Sequence, residues 1–481
     1  MTLVKSFLDT CKKYPRKVAV IDLKGETTYD ALLKEAEACA CLVQSNETGK
    51  NIGILLINCK EFVSAFYGIL MAGKTPVPLN FLLSPAQLHF VIQNADINTV
   101  FTTNLFKPHL DGNVSRIILT EEIAFNTSLK DRDIKPGNDE DLAALLYTSG
   151  TSANPKGVML THRNFLSNLE GCVYAFDFTE KTVLLGMLPL FHTYALTTTL
   201  VLPVYMGATV VYLPRFSGPK VLEIIEKCKI TAMFAIPSMY RVLLRTAETT
   251  KYDISSLKLC TSGGELLPRD VLEAFNRTFP VPITEGYGLT ESTAIVSVNL
   301  PQKFKYGSIG LPLRNLDVRI IGDDGKCQPL NMDGEIWVKG PNVMKGYYKL
   351  PKETSEAITP DGWLKTGDYG RLDEEGFLWI TGRKKELIII SGENVSPNEI
   401  EHVISGDEKV FEVAVIGVPD KLRGEVPKAY IALRENVTCG EDEIRTYCMQ
   451  HLPHYKVPKY FEFLKELPHG PTGKVLKRAL K

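Results

Sequence analysis

Short apolar runs alternate with amphipathic stretches through most of the chain, in a strand-then-helix rhythm. Residues 17–22, 51–58 and 98–103 are continuous enough in apolar character to predict buried strands. Residues 61–72 and 85–94 repeat their apolar positions at helical spacing instead. The rhythm returns as strand, helix and strand at 230–236, 239–247 and 257–261. Pro268 then predicts the first position of another helix, where a missing N–H costs nothing. Such alternation predicts an α/β fold with parallel sheets. Near Asp317 the texture changes to hairpins, with Asp324-Gly325 and Asp333-Gly334 between alternating strands, so about 305–384 is expected to be a small β-rich subdomain. From about Lys385 two helical stretches mix with strands at 413–418 and 428–433, the pattern of a compact α+β module. The expected organisation is a large N-terminal domain, 1–384, followed by a small C-terminal domain, 385–481. A chain of 481 residues is too long for one core, which agrees with this division.

Composition narrows the function without deciding it. Lys and Arg number 55 against 56 Asp and Glu, so no overall field favours nucleic acid or an anionic membrane. The ten cysteines are scattered, with no CxxC pair and no histidines at zinc spacing, which reads as a reduced, cytoplasmic protein with buried thiols. The first residues lack the long apolar core and small-residue cleavage site of a secretory signal. Residues 182–214 carry no Asp, Glu, Lys or Arg, but Pro189, His192, Pro203, Gly207 and the threonines at 197–199 interrupt the run. A buried core segment is expected there rather than a membrane span.

The sharpest local feature is Tyr147-Thr-Ser-Gly-Thr-Ser-Ala-Asn-Pro-Lys-Gly-Val158, directly after an apolar run at 142–146. Small hydroxyl residues and glycine let backbone amides and hydroxyls approach phosphate oxygens, and Lys156 adds positive charge. It is not a Walker loop, because Pro155 rather than glycine precedes the lysine. Standing alone it would read as a Ser/Thr-rich surface turn. Four further phrases follow in order: Glu285-Gly-Tyr-Gly-Leu-Thr-Glu291, Thr366-Gly-Asp368, Gly382-Arg-Lys-Lys-Glu386 and Pro471-Thr-Gly-Lys474.

Taken together, in this order and spacing, the five motifs resemble the acyl-adenylate-forming superfamily of acyl-CoA synthetases, luciferases and peptide-synthetase adenylation domains. The resemblance covers nearly the whole chain. It implies that ATP activates a carboxylic acid as an acyl-adenylate and that the acyl group then passes to a thiol, with Mg²⁺ as metal and CoA as acceptor. Joining a carboxylate to an α-phosphate brings two anions together, so cations must offset the repulsion. Glu291 is a hard oxygen ligand suited to Mg²⁺, with Thr148 implied beside it, and Thr290 can hydrogen-bond the α-phosphate. The triphosphate is expected along Thr148, Ser149, Gly150, Thr151, Ser152 and Lys156. Tyr287, between Gly286 and Gly288, offers a flat face to adenine, while Gly263 and Gly264 of Thr261-Ser-Gly-Gly-Glu265 let the base approach the backbone; Glu265 and Glu285 complete the expected nucleotide site. Asp368 can accept hydrogen bonds from both ribose hydroxyls, and Arg383 can reach ribose or phosphate. By resemblance, Lys474 lies on a mobile C-terminal domain and bridges carboxylate and α-phosphate. Lys385 is then the hinge about which that domain turns to open a thiol tunnel.

One departure concerns the phosphate loop, where relatives commonly have glycine and this chain has Ala153; a positive φ there would cost about 1 kcal/mol. The acyl site is implied around Leu188-Pro-Leu-Phe-His-Thr-Tyr-Ala195 and Ala235-Ile-Pro-Ser-Met-Tyr240, with His192 at the pocket entrance. Relatives that activate amino acids carry an aspartate just after the aromatic residue. Here Phe191 is followed by His192, and no acid appears before Glu223. With Leu213-Pro-Arg-Phe216 and the apolar 195–205 stretch, the pattern looks most like a fatty acid–CoA ligase, so the expected partners are an aliphatic carboxylic acid and CoA, with no nucleic acid and no transmembrane span. The alternatives are an enzyme that loads a carrier-protein phosphopantetheine or acts on an aryl acid, and an inactive homologue that only binds; intact Lys474, Glu291 and Asp368 argue against the last.

Overall fold

The computed structural model describes residues 1–44, 48–110, 112–124, 133–148, 155–249, 251–265, 267–390, 393–469 and 475–480. One parallel and one mixed sheet form its larger part. One contains Thr75–Pro78, Asn51–Leu55, Thr99–Thr102 and Arg116–Leu119 in that spatial order, all parallel. The other has nine strands, of which Ile283–Tyr287, Leu259–Ser262, Ala232–Ala235, Val183–Gly186, Thr209–Tyr212 and Val18–Asp22 run parallel at its centre. Their side chains are buried on both faces, as parallel strands covered by helices require. The predicted strands and helices fall where expected to within a few residues: 61–72 becomes Lys60–Met71, Pro85–Asn94 is unchanged, and 239–247 lengthens to Pro237–Thr249.

Two local expectations are corrected. Pro268 caps the helix Arg269–Thr278 from outside, in extended backbone with ψ 140°, rather than occupying its first turn. Asp333-Gly334 is not a turn: Gly334 is already in register with Gly370, because the chain has reversed earlier, at Asp324-Gly325, where Gly322 N–H donates to Lys326 O at 2.9 Å. The antiparallel sheet that follows contains Asp317–Ile321, Gly334–Lys339, Leu364–Leu372 and Leu378–Arg383. A separate three-stranded sheet joins Leu142–Thr148, Lys156–Thr161 and the short strand Gly346–Tyr347.

Beyond the turn Lys384–Glu386 a last sheet gathers Ile388–Ile390, Glu393–Val395, Val410–Asp420, Gly424–Leu433 and Tyr460–Leu464, with the helices Pro397–Ser405 and Glu441–His451. It has its own apolar core around Ile388, Ile400, Val415, Ile431 and Ile444.

Between the strands Val183–Gly186 and Thr209–Tyr212, the uncharged stretch forms a largely buried helix that runs from Thr193 through a widened π segment, Leu196–Val201, into Leu202–Met206. Leu202 N–H bonds to Thr197 O, five residues back, and Pro203 cannot donate at all, so the ladder is loosened where the proline enters. Among the described residues no helix is long and apolar enough to cross a membrane. The cysteines are free thiols, and Cys11, Cys39, Cys172, Cys260 and Cys448 are buried. Burial pushes the Cys172 thiol up to about 12 and the Cys448 thiol to about 11, so neither is poised to react.

Candidate active site

Three sheets bring together described residues of four of the five sequence motifs. Tyr287 ends a strand of the nine-stranded sheet, and its hydroxyl donates to Asp368 Oδ2 at 2.6 Å. Asp368 and Arg383 are cross-strand partners in the antiparallel sheet, and Arg383 Nε donates to Asp368 Oδ1 at 2.8 Å. The carboxylate is buried, 4% exposed, with both oxygens held in fixed directions. Burial, then the neighbouring Asp368 charge, pushes the Tyr287 hydroxyl well above its ordinary pKa, so it stays a donor. A flat ring beside a buried, oriented carboxylate and a guanidinium is suited to a base, a ribose and a phosphate in turn.

Gly286 and Gly288 flank that ring. Gly288 is obligatory, because a Cβ there would stand 1.5 Å from Ala294 O. The chain folds back at this point: Thr293 and Ala294 both have left-handed backbone, φ 56° and 80°. Such strain costs about 1 kcal/mol per residue and persists only where the surroundings enforce it. Here Thr293 Oγ1 donates to Asn342 O at 2.7 Å and Asn342 Nδ2 donates to Ser292 O at 2.9 Å, so the turn that carries Thr290 and Glu291 is pinned from both sides. Thr290 Oγ1 accepts from Thr193 Oγ1 at 2.9 Å, which leaves its own O–H for another acceptor.

Glu291 Oε1 accepts from Tyr347 OH at 2.9 Å, and Lys156 Nζ stands 5.0 Å from the centre of the same ring. Lys156 pairs across its hairpin with Thr148, and Tyr347 pairs with Val158 on the other side. Tyr347 therefore places the lysine of the hydroxyl-rich loop beside the glutamate of the second motif. The sequence reading missed Tyr347, and it had Thr193 only within the acyl-side phrase, not as a partner of Thr290; each acts through a residue far along the chain. A depression of about 560 Å³ lies beside Tyr347, but Lys349 on its rim is paired with Asp96 at 2.7 Å and Lys345 with Glu140 O at 3.2 Å.

The remaining expected residues separate into groups. Gly263 and Gly264 end the Leu259–Ser262 strand; a Cβ on Gly263 would meet the Tyr194 ring at 3.2 Å, and Gly264 has φ +83°. Glu265 is partly exposed beside them. Glu285 points inward, 6% exposed, where Oε1 accepts from Leu267 N–H at 3.0 Å and burial pushes the carboxyl up to about 7. It braces the loop after the glycines. His192 caps the buried helix, partly exposed, with its ring 4.6 Å from that of Phe191. Lys385 lies in the exposed Lys384–Glu386 turn between the last two sheets. Ser149, Gly150, Thr151, Ser152, Ala153 and Lys474 lie outside the described residues.

Among the described residues no cluster of three or more His, Cys, Asp or Glu could hold a metal. The donors present, Glu291 with hydroxyls nearby, suit a hard cation that takes most of its oxygens from a bound phosphate chain and water.

The fold is that of the adenylate-forming enzymes, a large N-terminal part with a small C-terminal one. The family model described as AMP-binding enzyme matches residues 7–348, and that of the AMP-binding enzyme C-terminal domain matches residues 399–474. The chain belongs to the AMP-binding enzyme family and is an AMP-forming acid–thiol ligase. A long-chain-fatty-acid–CoA ligase of Bacillus subtilis strain 168 is 34% identical over 528 aligned residues, covering 100% of this chain and 94% of that protein. A sulfoacetate–CoA ligase of Cupriavidus necator is 34% identical over 448, covering 89% and 86%. The structure of o-succinylbenzoate–CoA synthetase from Bacillus subtilis, in complex with ATP and magnesium ion, superposes with a TM-score of 0.89 at 32% identity, covering 99% of this chain and 98% of that one.

Proposed function

We propose that this ligase acts on a fatty acid, making the acyl-adenylate from ATP and then the thioester of CoA. In the first step a carboxylate oxygen attacks the α-phosphorus, the new O–P bond forms, and pyrophosphate leaves. In the second the CoA thiol gives up its proton, its sulfur attacks the acyl carbonyl, and AMP leaves. Tyr287, Gly263 and Gly264 receive adenine, Asp368 and Arg383 orient the ribose, and Thr148, Lys156 and the residues between them line the phosphates. Thr290 donates to the α-phosphate, and Lys474 offsets the charge of the two approaching anions. Mg²⁺ would be held by Glu291 with the Thr148 hydroxyl, and when bound it neutralises phosphate charge. His192 stands at the acyl entrance, and Lys385 is the hinge between 1–384 and 385–481.

The observation that carries the substrate class is the character of the acyl side. The buried Thr193–Met206 helix, the Ala232–Ala235 strand and the first turn of Pro237–Thr249 meet there, with Tyr194 5.9 Å from Phe234. Residues 182–214 and 230–240 contain no Lys or Arg. A second anionic group on the acid would be buried without a cation, at a cost of several kcal/mol. An uncharged aliphatic tail meets no such penalty and gains about 0.8 kcal/mol per buried methylene. ATP–pyrophosphate exchange over saturated straight-chain acids, o-succinylbenzoate and sulfoacetate tests this, with thioester formation followed on CoA and on a phosphopantetheinylated carrier protein. Exchange is expected with the straight-chain acids and product with CoA. Preferential exchange with either of the doubly anionic acids would reject the fatty-acid reading.

A further inference from the structure

We propose that Tyr347 is a positioning residue that keeps the phosphate lysine, Lys156, and the metal ligand, Glu291, close together yet unpaired, so that both charges stay available to ATP and Mg²⁺. The inference rests on the roles given to Lys156 and Glu291 above. Tyr347 meets each charge with a different part of its side chain. Its hydroxyl donates to Glu291 Oε1 at 2.9 Å, and Lys156 Nζ stands 5.0 Å from the centre of its ring. Among the described residues no ion pair joins the lysine to the glutamate; each contacts the tyrosine instead.

The backbone fixes this arrangement from three sides. Met344 N–H donates to Glu291 O at 2.8 Å, on the turn that carries the carboxylate. Lys345 N–H donates to Met159 O at 3.0 Å and Tyr348 N–H to Gly157 O at 2.7 Å, both on the strand that begins at Lys156. From behind, Thr354 Oγ1 accepts from Tyr347 N–H at 2.9 Å and donates to Leu350 O at 2.8 Å. The short strand Gly346–Tyr347 is thus a clasp between hairpin and turn, and it brings a cation and an anion from distant parts of the chain to one ring.

Such closeness has a chemical consequence. Lys156, Glu291 and Tyr347 are all half-buried, where an ammonium and a carboxylate attract each other more strongly than in open water. A direct pair would consume the charge that phosphate and metal need. Tyr347 gives each a weaker contact, a ring face to the cation and a neutral donor to the anion, and both exchange readily for a ligand. Burial, then the Glu291 charge, holds the Tyr347 hydroxyl well above its ordinary pKa, so it stays protonated and adds no third charge.

The test measures ATP binding to the full-length enzyme by calorimetry, without acid or CoA, first in EDTA and then with Mg²⁺. Tyr347→Ala should let Lys156 turn onto Glu291, so metal-free ATP binding is expected to weaken about tenfold. In a Glu291→Gln background, where that pair cannot form, the same substitution should cost about twofold or less; a purely structural role for the tyrosine would cost the same in both backgrounds. Tyr347→Phe keeps the ring and should lose less than Tyr347→Ala. Tyr347→Leu, with apolar bulk but neither ring nor hydroxyl, stands in if Tyr347→Ala folds poorly. With metal present, Tyr347→Ala should raise half-saturating Mg²⁺ about three- to tenfold, because Glu291 is then occupied by the lysine. Undiminished metal-free binding by a folded Tyr347→Ala enzyme, or an equal loss in the Glu291→Gln background, overturns the proposal. Lys156→Ala, measured alongside, separates the two levels. If it weakens metal-free binding while Tyr347→Ala does not, only the spacing role fails; if it binds ATP as the parent does, the phosphate role of Lys156 fails and the proposal with it.

Discussion

The two carboxylates of the candidate site sit in opposite surroundings. Asp368 is buried and receives hydrogen bonds from Tyr287 OH and Arg383 Nε. Glu291 is partly exposed on a strained turn, and its carboxylate accepts from Tyr347 OH. The first region is a polar network already satisfied inside the protein, which fixes directions for a ligand but also helps hold two sheets together. The second keeps its ligating capacity for something from outside. Damage to the first should therefore appear in stability and in ATP use alike, and damage to the second in catalysis alone.

The largest expected effect lies outside both regions and calibrates them. Lys474→Ala should lower the rate of acyl-adenylate formation by about 10²–10³, the loss typical of one preorganised charge-stabilising group, while transfer from supplied acyl-adenylate to CoA survives. Single-turnover measurement of each half-reaction decides it, and equal losses would remove the lysine from the adenylation step.

Next comes Glu285, in the buried region. Its carboxyl, raised from 4.5 to about 7 by burial, prefers to be neutral in the folded protein. Folding then binds a proton that the unfolded chain has released, so stability falls as pH rises from about 4.5 and the fall is complete just above 7. The total is about 3 kcal/mol. Glu285→Gln keeps an acceptor for Leu267 N–H and removes the charge, so urea midpoints at about pH 5 and pH 8 should converge in the variant while they differ in the parent. The same pH dependence in both would place the titration elsewhere.

Asp368→Asn sharpens the contrast within the site. It keeps the shape but loses the charge that faces Arg383, and an amide cannot accept at both positions. ATP use should drop by about ten- to a hundredfold. Stability should drop as well, by only about 1 kcal/mol, since the Arg383 side chain is 56% exposed and solvent already screens the pair. Unchanged thermal unfolding would mean that the network binds ligand without supporting the fold.

Much of this was legible in the chain. The parallel strands are apolar on both faces, so 17–22, 51–58 and 230–236 stand out as runs without tertiary knowledge. The motifs also carried their own local signal, because glycines and hydroxyls cluster where backbone must approach phosphate. What did not show are the pairings. Tyr287 meets Asp368 across 81 positions, Thr193 meets Thr290 across 97, and Tyr347 meets Glu291 across 56, each fixed by strand register or sheet packing rather than by neighbours in sequence. The π segment at Leu196–Val201 was equally hidden, since it depends on how Pro203 is accommodated in a buried helix. Misplacing Asp333-Gly334 had the same root: a turn dipeptide marks a turn only if the ladder has not already begun.

The smallest effect, and the sharpest test of the contrast, is Glu291→Gln. Gln retains an acceptor for Tyr347 OH and fits the same space, and the Thr293–Ala294 backbone that shapes the turn is held by Asn342, not by the Glu291 side chain. Folding should therefore be indifferent, with an unfolding temperature within about a degree of the parent, as expected for a surface change under about 0.5 kcal/mol. A neutral amide binds Mg²⁺ far less well than a carboxylate does. Half-saturating Mg²⁺ should accordingly rise about three- to tenfold, with the rate at saturating metal reduced less than in Asp368→Asn. A variant that melts early would make Glu291 a structural residue like Asp368, and the distinction between the two regions would collapse. One that keeps both its stability and its Mg²⁺ dependence would move the metal to other ligands.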